Sequence, residues 1–537
     1  MAVHTHLAFA PYAPTTSNPT LGRRLGVFVF VTVLLQSAHA AYVLAGGSDR
    51  VATSFPDDAF YYLQVARNFA ARGQWSFDGT APATGFHLLW GYWWAAVFAL
   101  MPRINLVGLY LLSFGLSEVF YVLSALALGI VAVECYGSGA LVAVIALFLG
   151  TSLFMLPGLG MEAPVTLFFA AALCFLLFRP RAQKTGRWPD LLALYGVGLL
   201  GMLSRSDFGV LTFCCLLASI LDSARRRELS ARAVRPALVA FVGALSGLAL
   251  VLMHCWWVSG HLLQASAQTK YFWSSLNGHA VSAPLLLLAT SLVYKLPFAA
   301  ASMYPVLGAL VALVLISGRN VLKTRAPFAP FAAGLLAVMG YVVLYSRDSR
   351  ALQLWYAASF GAPIALICAP ASAVLVARFR ILTTGAVALL IAATLVLSMR
   401  PVWPNQKALK DAGVFLAARP ELTPAGAWNA GTLSYFAGRP ITNLDGLVND
   451  DILPYARSGT LAKYVLQRHL AYVVDYAAML DGNLALRGGY SDGTLARCLR
   501  PQGQVDADRS DLRWEDSMLT IYKVDALCLE AHARSAR

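Results

Sequence analysis

The chain has 537 residues, of which 58% are hydrophobic and only 13% charged, against about a quarter charged in a soluble globular chain. One buried core cannot absorb that deficit, because long soluble chains split into domains and multiply their surface. The formal net charge is +14. The basic residues, however, sit in short clusters between apolar blocks: Arg23-Arg24, Arg179 to Arg187, Arg225 to Arg235, Arg319 to Arg325, and Arg378 with Arg380. That is the positive-inside distribution of a membrane protein. No basic stripe with interleaved aromatics occurs on a polar segment, so nucleic-acid binding is excluded.

In chain order, residues 1–22 read as a disordered cytoplasmic start. The block Leu25 to Leu44 follows two arginines and contains Ala38-His39-Ala40, similar to a signal-peptidase site. The rest of the chain needs no cleavage to insert, so the block reads as a signal anchor. Residues 45–101 then emerge outside as a first extracytoplasmic loop. Its end, 86–101, is short and rich in Trp and Tyr, which suits a helix lying at the interface. Apolar blocks of spanning length follow at 106–133, 138–156, 163–178, 189–204, 208–222, 236–257, 284–317, 327–346, 353–375 and 381–399. The block 284–317 is too long for one span, and Pro297 and Pro305 are expected to break it into a dip and one crossing. One assignment of sides places every basic cluster inside. It gives about eleven spans within residues 23–400, with the N-terminus cytoplasmic. Residues 401–537 are more polar, carry turn signals, and read as a small α/β extracytoplasmic domain. Six cysteines lie in or beside apolar blocks; Cys498 and Cys528 stand apart in the tail and could form a disulfide there.

The informative stretch is Asp57-Asp58-Ala59-Phe60-Tyr61-Tyr62-Leu63-Gln64-Val65-Ala66-Arg67-Asn68, followed by Ser76-Phe77-Asp78-Gly79 and Gly85-Phe86-His87-Leu88-Leu89-Trp90. An acidic pair after Pro56 can simply cap an interfacial helix. The same position, above an apolar slab, also suits a base that takes a proton from an acceptor hydroxyl. Adjacent carboxylates raise each other's pKa, which favours that role.

These runs resemble the first extracytoplasmic loop of bacterial GT-C superfamily glycosyltransferases, a group that includes protein O-mannosyltransferases, aminoarabinose transferases of lipid A and mycobacterial arabinofuranosyltransferases. Gly158-Leu159-Gly160-Met161-Glu162 is similar to the family's Gly-Met-Glu turn, and Leu203-Ser204-Arg205-Ser206-Asp207 to its Thr-Arg-Pro-Asp tip. Ser266-Ala267-Gln268-Thr269-Lys270 matches a loop where the family often has a Lys, and the run Asn443 to Asn449 is similar to one in relatives with a C-terminal extracytoplasmic domain. Leu88 stands where the family usually has Pro, as does Ser206, and Phe208 replaces the usual Gly.

The resemblance implies a GT-C fold in a bacterial inner membrane and a sugar donor carried on polyprenyl phosphate. It also implies transfer with inversion to a glycan, lipid or protein acceptor. The first acidic residue, Asp57, is the expected base, with Asp58 second. Some members use a divalent metal and others do not, so a metal is left open. Glu162, Arg205, Asp207, Lys270, Arg347, Asp348 and Arg350 all fall at outward span ends, where ionisable groups need partners or a function. Arg205 and Asp207 can form a local ion pair. Alternatively, Arg205, Lys270 and Arg350 form a cationic cradle for the donor phosphate, with Glu162, Asp207, His87 and Gln268 in support. Trp355 and Tyr356 stack on substrate or belong to an aromatic belt. The rival reading, a transporter or flippase of lipid-linked saccharides, calls for midplane charges on interrupted helices and a repeat between halves. Neither is clear in the sequence.

Overall fold

The computed structural model describes residues 19–179, 187–227, 230–277, 282–292, 299–324, 326–346, 352–480, 493–505 and 519–535. Most of the expected disordered start therefore lies outside the described residues, as do Pro297, Arg347, Asp348 and Arg350.

The first helix, α1 (Pro19–Ala45), is followed by the short α2 (Gly47–Ser54) and by α3 (Asp57–Arg72). Pro56 is extended and ends the previous turn, and both aspartates fall in the first turn of α3, while Gly73 closes that helix in the left-handed region at φ 70°. Helix α4 (Leu88–Leu100) has 13 residues, too few to cross a bilayer. It packs against α3.

Helix α5 (Leu106–Tyr136) is capped by Asn105, whose side chain accepts from the Gly108 amide at 2.9 Å. The block expected to be one span at 138–156 is broken. Helix α6 (Leu141–Gly150) meets a 3-10 segment (Ser152–Leu159) at a bend of 52°. Thr151 is extended there and Pro157 lies in the second half, so a continuous ladder of helical bonds is not available. Two partners on other helices answer the freed carbonyls: Gln36 donates to Phe154 O at 2.7 Å, and the Tyr121 hydroxyl donates to Phe148 O.

The remaining helices before residue 400 are α7 (Ala163–Phe178), α8 (Trp188–Ser204), α9 (Phe208–Arg225), α10 (Ala231–Ser259), α11 (Ala265–Asn277), α12 (Ser282–Leu292), α13 (Ala299–Lys323), α14 (Phe328–Tyr345) and α15 (Ala357–Ser398). Pro305 does not break its helix: it sits within α13, which continues through it. Helix α15 kinks at Phe379 (φ −135°, ψ 48°) between two arginines. At ~1.5 Å per residue it is long enough to cross a bilayer twice.

Among the described residues, seven helices are long and apolar enough to span, or eight if the bent pair counts as one. The difference from the expected eleven lies in α7 and α8, with 16 and 17 residues, and in α15, which counts once.

Beyond Arg400 come α16 (Gln406–Ala417), β1 (Ala425–Ala427), α17 (Ala430–Ala437), β2 (Ile441–Asn443), α18 (Leu453–Arg457), α19 (Leu461–Gln467), β3 (Tyr472–Tyr476), α20 (Thr494–Cys498), β4 (Leu499–Val505), β5 (Leu519–Val524) and α21 (Ala526–Ser535). The five strands form one sheet in the order β2-β1-β3-β5-β4, parallel among β2, β1 and β3 and antiparallel from β3 to β4. Strand β3 is almost wholly buried, as a central strand covered on both faces should be. Cys498 and Cys528 are joined, with Cα atoms 5.5 Å apart.

This sheet unit packs directly on the first loop. Ala83 bridges to Asn449, the Thr84 hydroxyl donates to Asp450 at 2.7 Å, and Arg468 pairs with Asp78.

Candidate functional site

The site lies where α3 faces the sheet unit above and the ends of α7, α8 and α14 below. Its two adjacent aspartates have different lives. Asp57 is only 9% exposed. Its Oδ2 accepts from the Gly431 amide at 3.0 Å and its Oδ1 from the Thr432 amide at 2.7 Å. Those are the first free amides of α17, so Asp57 caps a helix that is not its own. Burial raises its pKa, and the two amides pull the other way.

Asp58, one residue on, is partly exposed. Burial pushes its carboxyl up to about 7; Lys270 opposes that shift, and Asp57 and Glu162 add to it. Asp58 thus stands within electrostatic reach of Lys270 and Glu162. The Asp57–Asp58 pair does split into a cap and a free acid, and the free acid is the second member.

Below Asp58, Glu162, Arg205 and Asp207 form a buried ionic cluster. Arg205, 3% exposed, closes the end of α8. It donates to Glu162 Oε1 at 2.7 Å and to Asp207 Oδ2 at 2.9 Å, and its Nε reaches both Asp207 oxygens at 3.2 Å. Asp207 also accepts from Ser359 at 3.2 Å and from the Tyr345 hydroxyl. Tyr62, from α3, donates to Glu162 Oε2 at 3.0 Å. The local ion pair expected for Arg205 and Asp207 is present, enlarged by Glu162. Most donors of that guanidinium are consumed by two carboxylates, so as a phosphate grip it is largely spent.

His87 has Nε2 3.7 Å from Glu162 Oε1. Burial lowers its pKa to about 4, so near neutrality the ring is uncharged and this contact is not an ion pair.

Lys270, on α11, stands over the Tyr356 ring at 4.7 Å and donates to the Tyr356 hydroxyl. Arg205 lies against the same ring, its guanidinium carbon 4.4 Å from the centroid. Tyr356 therefore couples the two cations. Trp355 is buried, 6.1 Å from Trp403, and packs instead of facing open space. Gln268 donates to Leu263 O in its own loop at 2.9 Å. Its neighbour Gln264 is the buried tie: it donates to Phe86 O at 2.6 Å and accepts from Ser206 at 3.0 Å.

Residues that the sequence did not single out complete the wall. Tyr61 donates from its hydroxyl to Asp445 Oδ2 at 3.1 Å and lies 3.0 Å from Trp428 O. Asp475 accepts from the amides of Trp428 and Asn429 at 2.7 and 2.9 Å, which fixes the turn that presents Gly431 and Thr432 to Asp57. Asp445 belongs to a run that the sequence did flag, and that signal could have found it. No sequence signal pointed to the α17 amides.

Among the described residues the one group of three close ligand atoms is Cys498, Cys528 and His532, and its two thiols are consumed in the disulfide.

A family model described as a domain of unknown function, DUF8728, matches residues 400–519. No curated protein sequence matches the chain. Solved structures do. ArnT from Cupriavidus metallidurans, bound to undecaprenyl phosphate, superposes with a TM-score of 0.55 at 13% identity over 94% of this chain and 99% of that one. Oligosaccharyltransferase AglB from Archaeoglobus fulgidus, in complex with an inhibitory peptide and a dolichol-phosphate, gives 0.54 at 13% over 95% and 77%. The Archaeoglobus fulgidus oligosaccharyltransferase in complex with Zn and sulfate gives 0.52 at 16% over 87% and 70%. These are GT-C proteins, and this chain has the GT-C fold.

Proposed function

We propose that this chain is a membrane glycosyltransferase that moves a sugar from a polyprenyl-phosphate donor to an acceptor hydroxyl, with Asp58 as the general base. The observation that carries this reading is a partly exposed carboxyl in the first turn of α3, near enough to Lys270 for the ammonium charge to act on it. Asp58 titrates at about 7, where a base is effective at neutral pH. The solved relatives carrying undecaprenyl phosphate and dolichol-phosphate support a lipid-linked donor.

In this reading the acceptor oxygen bonds to the anomeric carbon as the bond from that carbon to the phosphate oxygen breaks. The proton goes to Asp58. The electron pair leaves with the polyprenyl phosphate, whose growing charge Lys270 stabilises. No second nucleophile is needed, so the anomeric centre inverts. Asp57 does not touch substrate; it seats α17 against α3 and so sets where Asp58 stands. The membrane part, residues 23–400, holds the lipid between helices. The unit 401–537 covers the head group on the outer face of a bacterial inner membrane, with the N-terminus cytoplasmic. No step is routed through a metal.

The test is transfer from radiolabelled polyprenyl-phosphate sugars in membranes carrying wild type or Asp58→Asn. A loss of roughly 10²-fold or more is expected for removal of a general base. Transfer undiminished in Asp58→Asn would falsify the assignment.

A further inference from the structure

Lys270 is not the only group near Asp58. A second carboxyl, Asp445, reaches α3 from the sheet unit, in the turn that follows β2, within electrostatic range of Asp58, and its placement is fixed by hydrogen bonds. Its Oδ1 accepts from the Leu447 amide at 2.7 Å and its Oδ2 from Tyr61 of α3 at 3.1 Å. Asn443 donates to the same Tyr61 hydroxyl at 3.1 Å and accepts from the Gly446 amide at 3.0 Å. Thr269, next to Lys270 on α11, donates to Gly446 O at 2.7 Å. The turn is therefore held by the same two helices that carry Asp58 and Lys270.

Asp57 is buried and spent, whereas Asp58 and Asp445 are both partly exposed. They are close enough for the Asp58 charge to act on Asp445, whose carboxyl burial pushes up to about 8. The geometric link is Tyr61, which lies one turn after Asp58 on α3 and donates to Asp445 at 3.1 Å. Both carboxyls accept hydrogen bonds. The site thus has a cationic end at Lys270 and a carboxyl end at Asp58 and Asp445. An acceptor bearing phosphate or carboxylate at the second end meets like charge; a neutral molecule with adjacent hydroxyls meets an acceptor for each.

We infer that Asp445 binds the acceptor together with Asp58, and that this acceptor is a neutral sugar residue presenting adjacent hydroxyls. The inference rests on the glycosyltransferase reading and narrows it: the membrane unit supplies the base, and the sheet unit supplies the group that selects the acceptor.

The full chain in lipid nanodiscs separates the two ideas. The probes are a panel of methyl glycosides (mannoside, glucoside, galactoside, arabinofuranoside), an N-acetyl-serine amide, and undecaprenyl phosphate, each measured by ligand-observed NMR or calorimetry. At least one methyl glycoside is expected to bind wild type more tightly than the serine amide. Asp445→Asn should weaken that glycoside about fivefold, the scale of one hydrogen bond, while changing undecaprenyl phosphate less than about twofold. Tyr61→Phe keeps the carboxyl and removes only its hold, so its loss should stay under roughly threefold. The inference is overturned if no glycoside binds wild type, if Asp445→Asn binds it unchanged, if Tyr61→Phe loses as much as Asp445→Asn, or if Asp445→Asn loses undecaprenyl phosphate to the same degree. Failure of undecaprenyl phosphate to bind wild type sinks the donor reading instead, and leaves the glycoside comparison legible.

Discussion

Asp57 and Thr432 are 375 residues apart in sequence, yet the Asp57 carboxylate accepts the Thr432 amide at 2.7 Å and the Gly431 amide at 3.0 Å. This one side chain joins the first loop to the sheet unit, and it separates two roles that the sequence left merged in an acidic pair. We predict that Asp57→Ala lowers stability by about 1–3 kcal/mol, the cost of leaving buried amides unanswered. Asp58→Asn should leave the fold intact. Thermal unfolding in detergent checks both; equal losses for the two variants would remove the distinction.

The ionisation of Asp58 gives a second prediction. A base must be deprotonated, so transfer should fall as pH drops below about 7, the value that burial sets for this carboxyl. Lys270 opposes the rise, so Lys270→Gln should move the falling limb to higher pH. The stability sign follows from the same shift. Burial raises the folded pKa above the ordinary value of 3.8, so the Asp58 contribution is fully present below that value and is lost as pH rises through about 7. Asp58→Asn should therefore raise the melting temperature relative to wild type at pH 8 and not at pH 4. A rate profile flat from pH 5 to 9 would contradict the assignment.

The membrane part was legible because hydrophobic block length and basic clusters are local properties. Asn105 and Gly73 mark helix ends that can be read from single residues. The break at Thr151 was missed because the flanking residues are uniformly apolar, and hydropathy carries no record of backbone direction. Pro305 was overread: it lies inside α13, and the helix runs on through it. In the site, Glu162, Arg205, Asp207 and Lys270 were found as costly charges at span ends. Their division of labour was not, because it depends on which carboxylate reaches which donor. Nothing around Gly431 announces that its amide serves an aspartate on a distant helix.

The cluster below the base supplies a third prediction. Arg205 is 3% exposed and paired with Glu162, itself 1% exposed, and with Asp207. Removing the guanidinium strands two carboxylates, so Arg205→Ala should cost about 3–5 kcal/mol. Arg205→Lys should recover little, since an ammonium cannot reproduce the forked contacts at 2.7 and 2.9 Å. A cycle of Arg205→Ala with Glu162→Gln should show coupling, because each relieves the charge the other strands. Additive losses would mean the cluster does not act as a unit.

Lys270 is assigned to the donor phosphate, and its contact with Tyr356 positions it without neutralising it. Lys270→Ala is predicted to weaken undecaprenyl phosphate binding about tenfold or more, the scale of one hydrogen bond to a charged group. Tyr356→Phe keeps the ring beneath both cations and should lose less. Calorimetry in nanodiscs checks this, and unchanged affinity in Lys270→Ala would move the phosphate elsewhere.

The closeness of the two units gives the last prediction. Gly85 stands where the Leu447 backbone crosses the first loop: a Cβ built there falls 1.6 Å from Leu447 O and 2.8 Å from Val448 Cα. Backbone cannot swing aside as a side chain can, so Gly85→Ala must push the turn away. That turn carries Asp445, and the Gly85 amide donates to Val448 O at 3.3 Å. Gly85→Ala is therefore expected to loosen the sheet unit from α3 while the membrane helices remain folded, since none of their contacts is touched. Limited proteolysis should release a fragment beginning near residue 400 faster from the variant than from wild type. At Gly431, by contrast, the added Cβ would sit 2.3 Å from Asp57 O, so Gly431→Ala strikes the cap itself and should lose both the docking and the Asp57 contribution to stability. Equal protease resistance in all three proteins would show that the two units are held by something other than this crossing.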